Sequence, residues 1–154
     1  MVMHMQSVYD AAGGAAGMVR LAAAWHERVL ADEVVAHAFS HGLRADHTDR
    51  LAAYLGEALG GPPAYTTAYG DETTVVRMHS GNGEHDEMDD RAIACFDVAL
   101  HDVGLDADER LHQVLHDYFA WATRGAMARY PRSPEDVPDG LAVLYWSWDG
   151  LQQQ

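Results

Sequence analysis

The sequence predicts an all-α fold, and two observations carry that prediction. Four long stretches place apolar residues three and four positions apart, the spacing of a helix that buries one face. Glycines and prolines separate these stretches, and no two-residue alternation is long enough to indicate a strand. A chain of 154 residues is also long enough to fold around its own core.

The first two long helices are expected at roughly 15–31 and 46–60. The first follows the Gly13-Gly14 break, and the second begins at Asp46, a residue type that caps helix N-termini. The second ends at the Gly-Gly-Pro-Pro run that starts at 60, because Gly allows a left-handed cap and Pro cannot continue a helix. The apolar stripes are Met18, Leu21, Ala22, Trp25 and Val29 in the first helix, and Leu51, Tyr54, Leu55 and Ala58 in the second.

The third and fourth long helices are expected at roughly 87–103 and from about 106–108 to Pro131. Gly104 ends the third helix, and Pro131 stops the fourth. The apolar stripes are Met88, Ala92, Cys95, Phe96, Ala99 and Val103 in the third helix, and Leu111, Leu115, Tyr118, Ala122 and Gly125 in the fourth.

A short helix is predicted inside the poorly patterned stretch at 66–86. Asp71 can cap it, a glycine turn at 81–83 ends it, and His79 falls on its last turn, four residues after Val75. A connection this long inside a compact domain usually serves a function. His79 is therefore a candidate ligand, because the end of a helix can fix a neutral imidazole with one side open.

The chain divides into a domain at 1–130 and a C-terminal extension at 131–154. Three prolines favour extended chain at the start of the extension, and the apolar run that follows contains Trp146 and Trp148. This run is too apolar for a free tail, so we expect it to pack on the domain or at a homodimer contact.

Charge and hydropathy exclude several classes of protein. All ten basic residues are Arg, against 24 Asp and Glu, which gives a formal net charge of −14 with His neutral. Such a surface repels phosphate, so neither nucleic acid nor an anionic membrane is an expected partner. No apolar stretch reaches the ~20 residues needed to cross a bilayer, and the N-terminus lacks the pattern of an export signal. We therefore expect a cytoplasmic protein.

Three of the ten histidines are predicted to point inwards from three different segments. His47 precedes Leu51 by one helical turn and lies on the inward stripe, and His26 flanks the apolar face of the first helix. Each of these two, taken alone, is compatible with a satisfied polar group at the edge of the core. Together with His79 they form a converging set that a plain core does not require.

The motifs resemble those of the second group of truncated, two-over-two haemoglobins over about residues 7–128. The resemblance is carried by Tyr9-Asp10-Ala-Ala-Gly13-Gly14, Asp32-Glu33-Val34, Arg50-Leu51-x-x-Tyr54-Leu55, Gly60-Gly61-Pro62-x-x-Tyr65, Arg77-Met78-His79 and Arg91-Ala-Ile-Ala-Cys95. It implies a two-over-two helical sandwich that holds haem b and binds dioxygen or other diatomic ligands.

The resemblance also implies a role for each position of a haem pocket. His79 becomes the proximal ligand of the iron, and His26 and His47 lie in the distal cavity. Arg77 and Tyr65 are the candidates for binding the haem carboxylates. The remaining positions expected to line the porphyrin are Phe39, Leu51, Tyr54, Val76, Ala92 and Phe96.

Three of these positions depart from the group pattern. His26 stands in place of the usual distal Tyr, His47 in place of a small distal residue, and Ala92 in place of the usual Trp of the third helix. Two distal imidazoles can donate hydrogen bonds to a bound ligand, act as acid–base groups, or bind the iron as a sixth ligand. A small residue at 92 leaves room for ligand entry or for a small organic substrate.

Three functions stay open on the sequence alone. The first is a haem-b protein that binds dioxygen and other diatomic ligands. The second is a haem oxidoreductase, either peroxidase-like or a nitric oxide dioxygenase, which requires an electron donor. The third is a non-haem metal-binding helical protein that uses His79, His85 and the neighbouring carboxylates, a set that favours a hard divalent metal.

Overall fold

A computed structural model describes residues 6–37, 45–83 and 85–152. Phe39, predicted to lie against a porphyrin, falls outside the described residues, so its role stays a prediction. The described part contains the α-helices α1 Val8–Ala11, α2 Gly14–Ala31, α3 Glu33–Ala36, α4 His47–Ala58, α5 Ala64–Ala68, α6 Glu72–Met78, α7 Asp86–Asp102 and α8 Glu109–Trp121. A π-helical turn, Ala122–Ala126, continues α8, and a 3-10 turn, Pro134–Asp136, follows in the extension.

The four long helices lie where the apolar spacing predicts them. The starts of α2, α4 and α7 fall within one residue of the predicted positions, and α8 begins directly after Asp108. The Asp108 carboxylate accepts hydrogen bonds from the backbone N–H groups of Arg110 and Leu111, which caps α8. Asp46 precedes α4 as predicted but does not cap it through its side chain. Its carboxylate pairs with Arg50 at 2.8 Å instead.

The core forms where the long helices cross. Helix α2 packs against both α4 and α7, and α7 also packs against α8. Helix α2 thus connects α4 to the pair formed by α7 and α8. The largest side chains that lie almost wholly inside are Tyr118, Phe96, Met18, Leu21, Leu59, Leu100 and Leu115. Within the described residues, no helix combines the length and the apolar character needed to span a bilayer.

A glycine permits the close approach of α1 to α2. A Cβ atom at Gly17 would lie 2.0 Å from the Ala12 carbonyl oxygen, well inside contact distance. Any side chain at this position would push the two helices apart, so the tight entry into α2 depends on the missing Cβ.

The C-terminal extension adds a two-stranded hairpin that the sequence pattern did not indicate. Strands β1 Tyr145–Ser147 and β2 Gly150–Gln152 pair antiparallel, with Trp146 opposite Leu151. Each strand has three residues, which is too short for a two-residue alternation to be recognised. The hairpin is a small addition to a fold that is otherwise helical in the described part.

Aromatic side chains hold this hairpin against the helices. The Trp146 ring lies 5.1 Å from the Trp121 ring and 6.0 Å from the Tyr118 ring, measured between centroids. The Trp148 indole N–H donates to the Gln6 carbonyl oxygen at 2.7 Å, and the Arg110 guanidinium lies 4.7 Å over the same indole. The hairpin therefore contacts both Gln6 and α8.

Candidate functional site

The segment from Asp71 to Gly83, called the proximal segment below, is built around α6. The Asp71 carboxylate accepts a hydrogen bond from the Thr74 backbone N–H at 2.9 Å, so the predicted cap is present. On the opposite side of the helix start, the Tyr54 hydroxyl donates to the buried carboxylate of Glu72 at 2.7 Å. These two contacts fix a helix of only seven residues, and His79 follows directly after it.

His79 is held by the main chain of its own helix. Its Nδ1 atom lies 2.8 Å from the Val75 carbonyl oxygen. A carbonyl oxygen only accepts, so Nδ1 carries the hydrogen and Nε2 keeps its lone pair. Metal-ligating histidines typically donate their second ring N–H to such a carbonyl, which fixes the tautomer and the ring orientation.

The surroundings of His79 favour its neutral form. His79 is exposed at the surface, yet the protein packed around its ring lowers the pKa of the imidazole. The charge of His85 lowers this pKa further, while the Val75 hydrogen bond and the charge of Asp89 act in the opposite direction. A neutral imidazole is the form that a metal ion requires.

His26 on α2 and His47 on α4 lie in contact with each other. His26 Nε2 and His47 Nδ1 are 2.6 Å apart, and His26 Nδ1 lies 2.9 Å from the Thr48 hydroxyl. His26 is 5% exposed, so a buried imidazole is satisfied by side chains on both of its nitrogens. The structure thus brings together the two histidines that the resemblance assigns to a distal cavity.

Burial determines the protonation of His26. Loss of solvent and the neighbouring His47 together lower its pKa from 6.5 to about 4. At neutral pH His26 is therefore uncharged, and one of its nitrogens donates while the other accepts. If Thr48 donates to Nδ1, the hydrogen on Nε2 points at His47; if Thr48 accepts, His47 donates to His26 instead.

Two residues that contact His26 were not identified from the sequence. Thr48 has no sequence signal, because its partner lies 22 positions away on another helix. Trp25 was assigned only to the core, yet its ring lies 5.4 Å from the His26 ring and its indole N–H donates to the Ala92 carbonyl oxygen at 3.1 Å. The Trp25 indole thus reaches from His26 to Ala92, the position at which the group named in the sequence analysis carries Trp.

The predicted wall residues occupy different surroundings. Leu51 is partly buried against the core, and Val76 and Ala92 are buried on α6 and α7. Phe96 is 1% exposed, and its ring stacks on Phe119 with a centroid distance of 4.0 Å. Tyr54 is buried, and its hydroxyl donates to Glu72. Burial raises the pKa of Tyr54 well above its usual range, and the neighbouring Glu72 carboxylate raises it further.

The two residues predicted to bind haem carboxylates differ in their partners. The Arg77 guanidinium donates to the Val137 carbonyl oxygen at 3.1 Å and to the Asp139 carboxylate at 2.8 Å, both in the extension. Tyr65 is buried on α5, with its ring 5.5 Å from the Tyr54 ring. Arg50 interacts with Tyr65 and lies one turn after His47 on α4, a placement that the sequence analysis did not single out.

The described residues offer little to a bare metal ion. His85 Nδ1 lies 2.8 Å from the Asp89 carboxylate, so these two side chains are already paired with each other. Among the residues described by the structure, which exclude Glu84, no group of three or more His, Cys, Asp or Glu side chains is arranged to hold a metal. No observation therefore favours the non-haem metal hypothesis.

Several known proteins share the fold of this chain. A family model of bacterial-like globins matches residues 7–123. The thermostable haemoglobin of the actinobacterium Thermobifida fusca is 28% identical, with a TM-score of 0.66 over 79% of this chain and 96% of that chain. No curated protein sequence matches the chain significantly.

Two further solved structures share the fold. The group II truncated haemoglobin of Bacillus anthracis has a TM-score of 0.72 at 18% identity, over 84% of this chain and 95% of that chain. The haemoglobin of Chloroflexus aurantiacus has a TM-score of 0.69 at 24% identity, over 81% of this chain and 99% of that chain. The predicted truncated-globin fold is confirmed by these likenesses.

Proposed function

Because this chain belongs to the family of bacterial-like globins, we propose that it holds haem b at His79 and binds dioxygen or another diatomic ligand at the iron. The family accounts for haem binding in general. The residues that take part, the type of haem and the ligand are the proposal.

The observation that carries the proposal is the hydrogen bond of His79 to Val75. It leaves Nε2 as the lone-pair nitrogen of a neutral ring, which is the donor that haem iron takes from a proximal histidine. The residues present thus fit the group. Haem iron, when bound, supplies an open coordination position for a diatomic ligand.

His47 and His26 are proposed to act on the opposite side of the haem from His79. His47 presents an imidazole at the start of α4, and His26 holds it through the 2.6 Å contact. A neutral hydrogen bond from such a ring stabilises a polar ligand by about 0.5–1.5 kcal/mol, or about tenfold in affinity at the upper end.

Tyr65, with Arg50 beside it, is proposed to bind the haem carboxylates; the Asp46 pair of Arg50 is made through Nε only. The guanidinium of Arg50 and the phenol of Tyr65 interact, and both lie on the α4 and α5 side of the site. Arg77 is committed to the extension, so we assign it to the attachment of residues 131–154. The domain at 1–130 then carries the haem function.

Titration of the haem-free protein with haem tests the proposal. Wild-type protein is expected to bind one equivalent with a Soret band, and His79→Ala is expected to lose the spectrum of a histidine-ligated iron. His85→Ala is the matched control, because His85 lies near His79 but pairs with Asp89. A spectrum unchanged in His79→Ala, or absent from wild-type protein, would contradict the assignment.

A haem oxidoreductase is the second candidate function, and the paired distal histidines favour it. A neutral His26 in hydrogen-bond contact with His47 allows His47 to take up and return a proton during peroxide or nitric oxide chemistry. Turnover with peroxide and a reductant, or consumption of nitric oxide by the dioxygen-bound protein, measures this activity. Equal rates in wild-type protein and in His47→Leu would remove the acid–base role.

A further inference from the structure

The start of the C-terminal extension lies alongside the proximal segment. Gly83 N–H donates to the Pro131 carbonyl oxygen at 2.9 Å, and Gly81 N–H donates to the Tyr130 carbonyl oxygen at 3.1 Å. At the other end of the segment, Arg77 and Thr73 reach residues 137–141. Residues 130–141, called the strap below, therefore contact the proximal segment on both sides of His79.

Thr73 makes the most buried of these contacts. Its hydroxyl donates to the Pro138 carbonyl oxygen at 3.0 Å and accepts from the Leu141 backbone N–H at 3.0 Å. Thr73 is 2% exposed, so both hydrogen bonds form away from water. A buried backbone N–H that loses its acceptor is costly, so the hydroxyl fixes this part of the strap on α6.

Arg77 lies one helical turn after Thr73, on the same face of α6. Its guanidinium bonds to the Val137 carbonyl oxygen as well as to Asp139. The Asp139 side chain is 92% exposed, so this ion pair contributes little by itself. The main-chain contact at Val137, a residue that is 2% exposed, is the part that adds to Thr73.

The glycine turn after His79 closes the arrangement. Gly81 has φ +81°, and a Cβ atom there would lie 2.7 Å from Pro134 Cδ. The strap thus passes so close to the chain beyond His79 that only glycine fits. Ser80 adds a hydroxyl hydrogen bond to the Val76 carbonyl oxygen at 2.6 Å, which ties the turn back to α6.

We infer that the strap positions the proximal histidine: Thr73, with residues 130–141, sets where α6 places His79 relative to haem, while the Val75 carbonyl orients the ring. This inference rests on the proposed haem function. The strap lies beyond residue 123, where the match to the family model ends. Thr73 is a positioning residue that acts on the iron through His79.

The variant Thr73→Val tests this inference, since it removes both hydrogen bonds and keeps the shape of the side chain. Two control variants accompany it. Thr74→Val is matched in chemistry and helix, but the Thr74 hydroxyl bonds to Asp71 and does not contact the strap. Thr73→Ser keeps the hydroxyl and is expected to restore wild-type behaviour.

The iron–imidazole band and the rate of haem release are measured on the haem-loaded protein, and backbone amide exchange is measured on the haem-free protein. In the ferrous haem protein, Thr73→Val is expected to shift the iron–imidazole stretching band and to release haem about tenfold faster to an acceptor. In the haem-free protein, it is expected to speed the exchange of the backbone amides of His79, Ser80 and Gly81. Both controls are expected to match wild-type protein.

The inference is overturned if Thr73→Val and Thr74→Val give the same iron–imidazole band and the same amide exchange. If wild-type protein binds no haem, the proposed function fails. Amide exchange in the haem-free protein still decides whether the strap holds His79.

Discussion

His79 and His26 both have a lowered pKa and are neutral at pH 7, but they are fixed by different kinds of partner. His79 bonds to a main-chain carbonyl within its own short helix. His26 and His47 bond to each other and to Thr48, across two helices that are about twenty residues apart in sequence. The ring of His79 is thus oriented by a contact within its own segment. The rings of His26 and His47 depend on the packing of α2 against α4.

This difference determines how many hydrogen-bonding states each side has. A carbonyl only accepts, so His79 has one tautomer and one nitrogen with a lone pair. The Thr48 hydroxyl both donates and accepts, so the chain from Thr48 through His26 to His47 can carry its hydrogens in either direction. The fixed lone pair of His79 suits a metal ligand. The hydrogen bonds from Thr48 through His26 to His47 can reverse direction, which suits a site that accepts different bound molecules.

The largest expected effect is the loss of stability at His26 and His47 in acid. The pKa of His26 is about 4 in the folded protein against 6.5 in an unfolded chain, so the unfolded state binds more protons below pH 6.5. Stability contributed by neutral His26 is complete above pH 6.5 and is lost as the pH falls to about 4, by roughly 3 kcal/mol in total.

Urea unfolding of wild-type protein and His26→Phe between about pH 7 and pH 4 measures this effect. The wild-type free energy of unfolding is expected to fall more steeply than that of the variant, since Phe does not titrate. Histidines on other elements contribute equally to both proteins and cancel, so the difference reports the coupled His26–His47 pair. Parallel pH profiles would show that His26 is not held neutral.

The second expected effect is on the proximal side, where Tyr54 ties α4 to α6. Tyr54→Phe leaves the Glu72 carboxylate, 1% exposed, without its hydroxyl donor. This is expected to lower the free energy of unfolding by about 1–3 kcal/mol. The double variant Tyr54→Phe with Glu72→Gln replaces the charge by a neutral amide and is expected to recover part of the loss. Additive effects of the two substitutions would contradict the pairing.

The third expected effect is on the ligand and concerns His47. His47→Leu is expected to release dioxygen up to about tenfold faster, because it removes the ring that donates to the ligand. Stopped-flow displacement of dioxygen measures the rate. His101→Leu is the control, since His101 is exposed on α7 and pairs with Asp106. A rate unchanged by His47→Leu would place the ring outside the ligand's reach.

The smallest expected effect is on the cap of α6. Asp71→Ala removes the hydrogen bond to the Thr74 N–H and is expected to cost about 1 kcal/mol of stability. Asp71→Asn keeps an acceptor and is expected to cost much less. Thermal unfolding of the two variants compares them, and equal melting temperatures would mean that the cap does not stabilise the proximal segment.

The local parts of this structure follow from the sequence. The Asp71 cap, the end of α6 and the spacing from Val75 to His79 all lie within nine residues, and each has a direct sequence signal. The apolar stripes likewise predicted α2, α4, α7 and α8, because each helix buries one face against its neighbours.

The long-range parts did not follow, because their partners meet only in the folded chain. Nothing near Thr73 in the sequence indicates that its hydroxyl bonds to residues more than sixty positions later. The same holds for Thr48 with His26 and for Trp25 with Ala92. Arg77 was predicted to bind a haem carboxylate from its position beside His79, and its bonds to Val137 and Asp139 became apparent only in the structure.

Imidazole rescue of His79→Gly is the measurement that tests the central claim most directly. The glycine variant is expected to lose the ferrous spectrum of an iron with one histidine ligand, and added imidazole is expected to restore it by entering the space left by the ring. A variant that keeps the wild-type spectrum without imidazole, or that imidazole does not change, would show that His79 does not bind the iron.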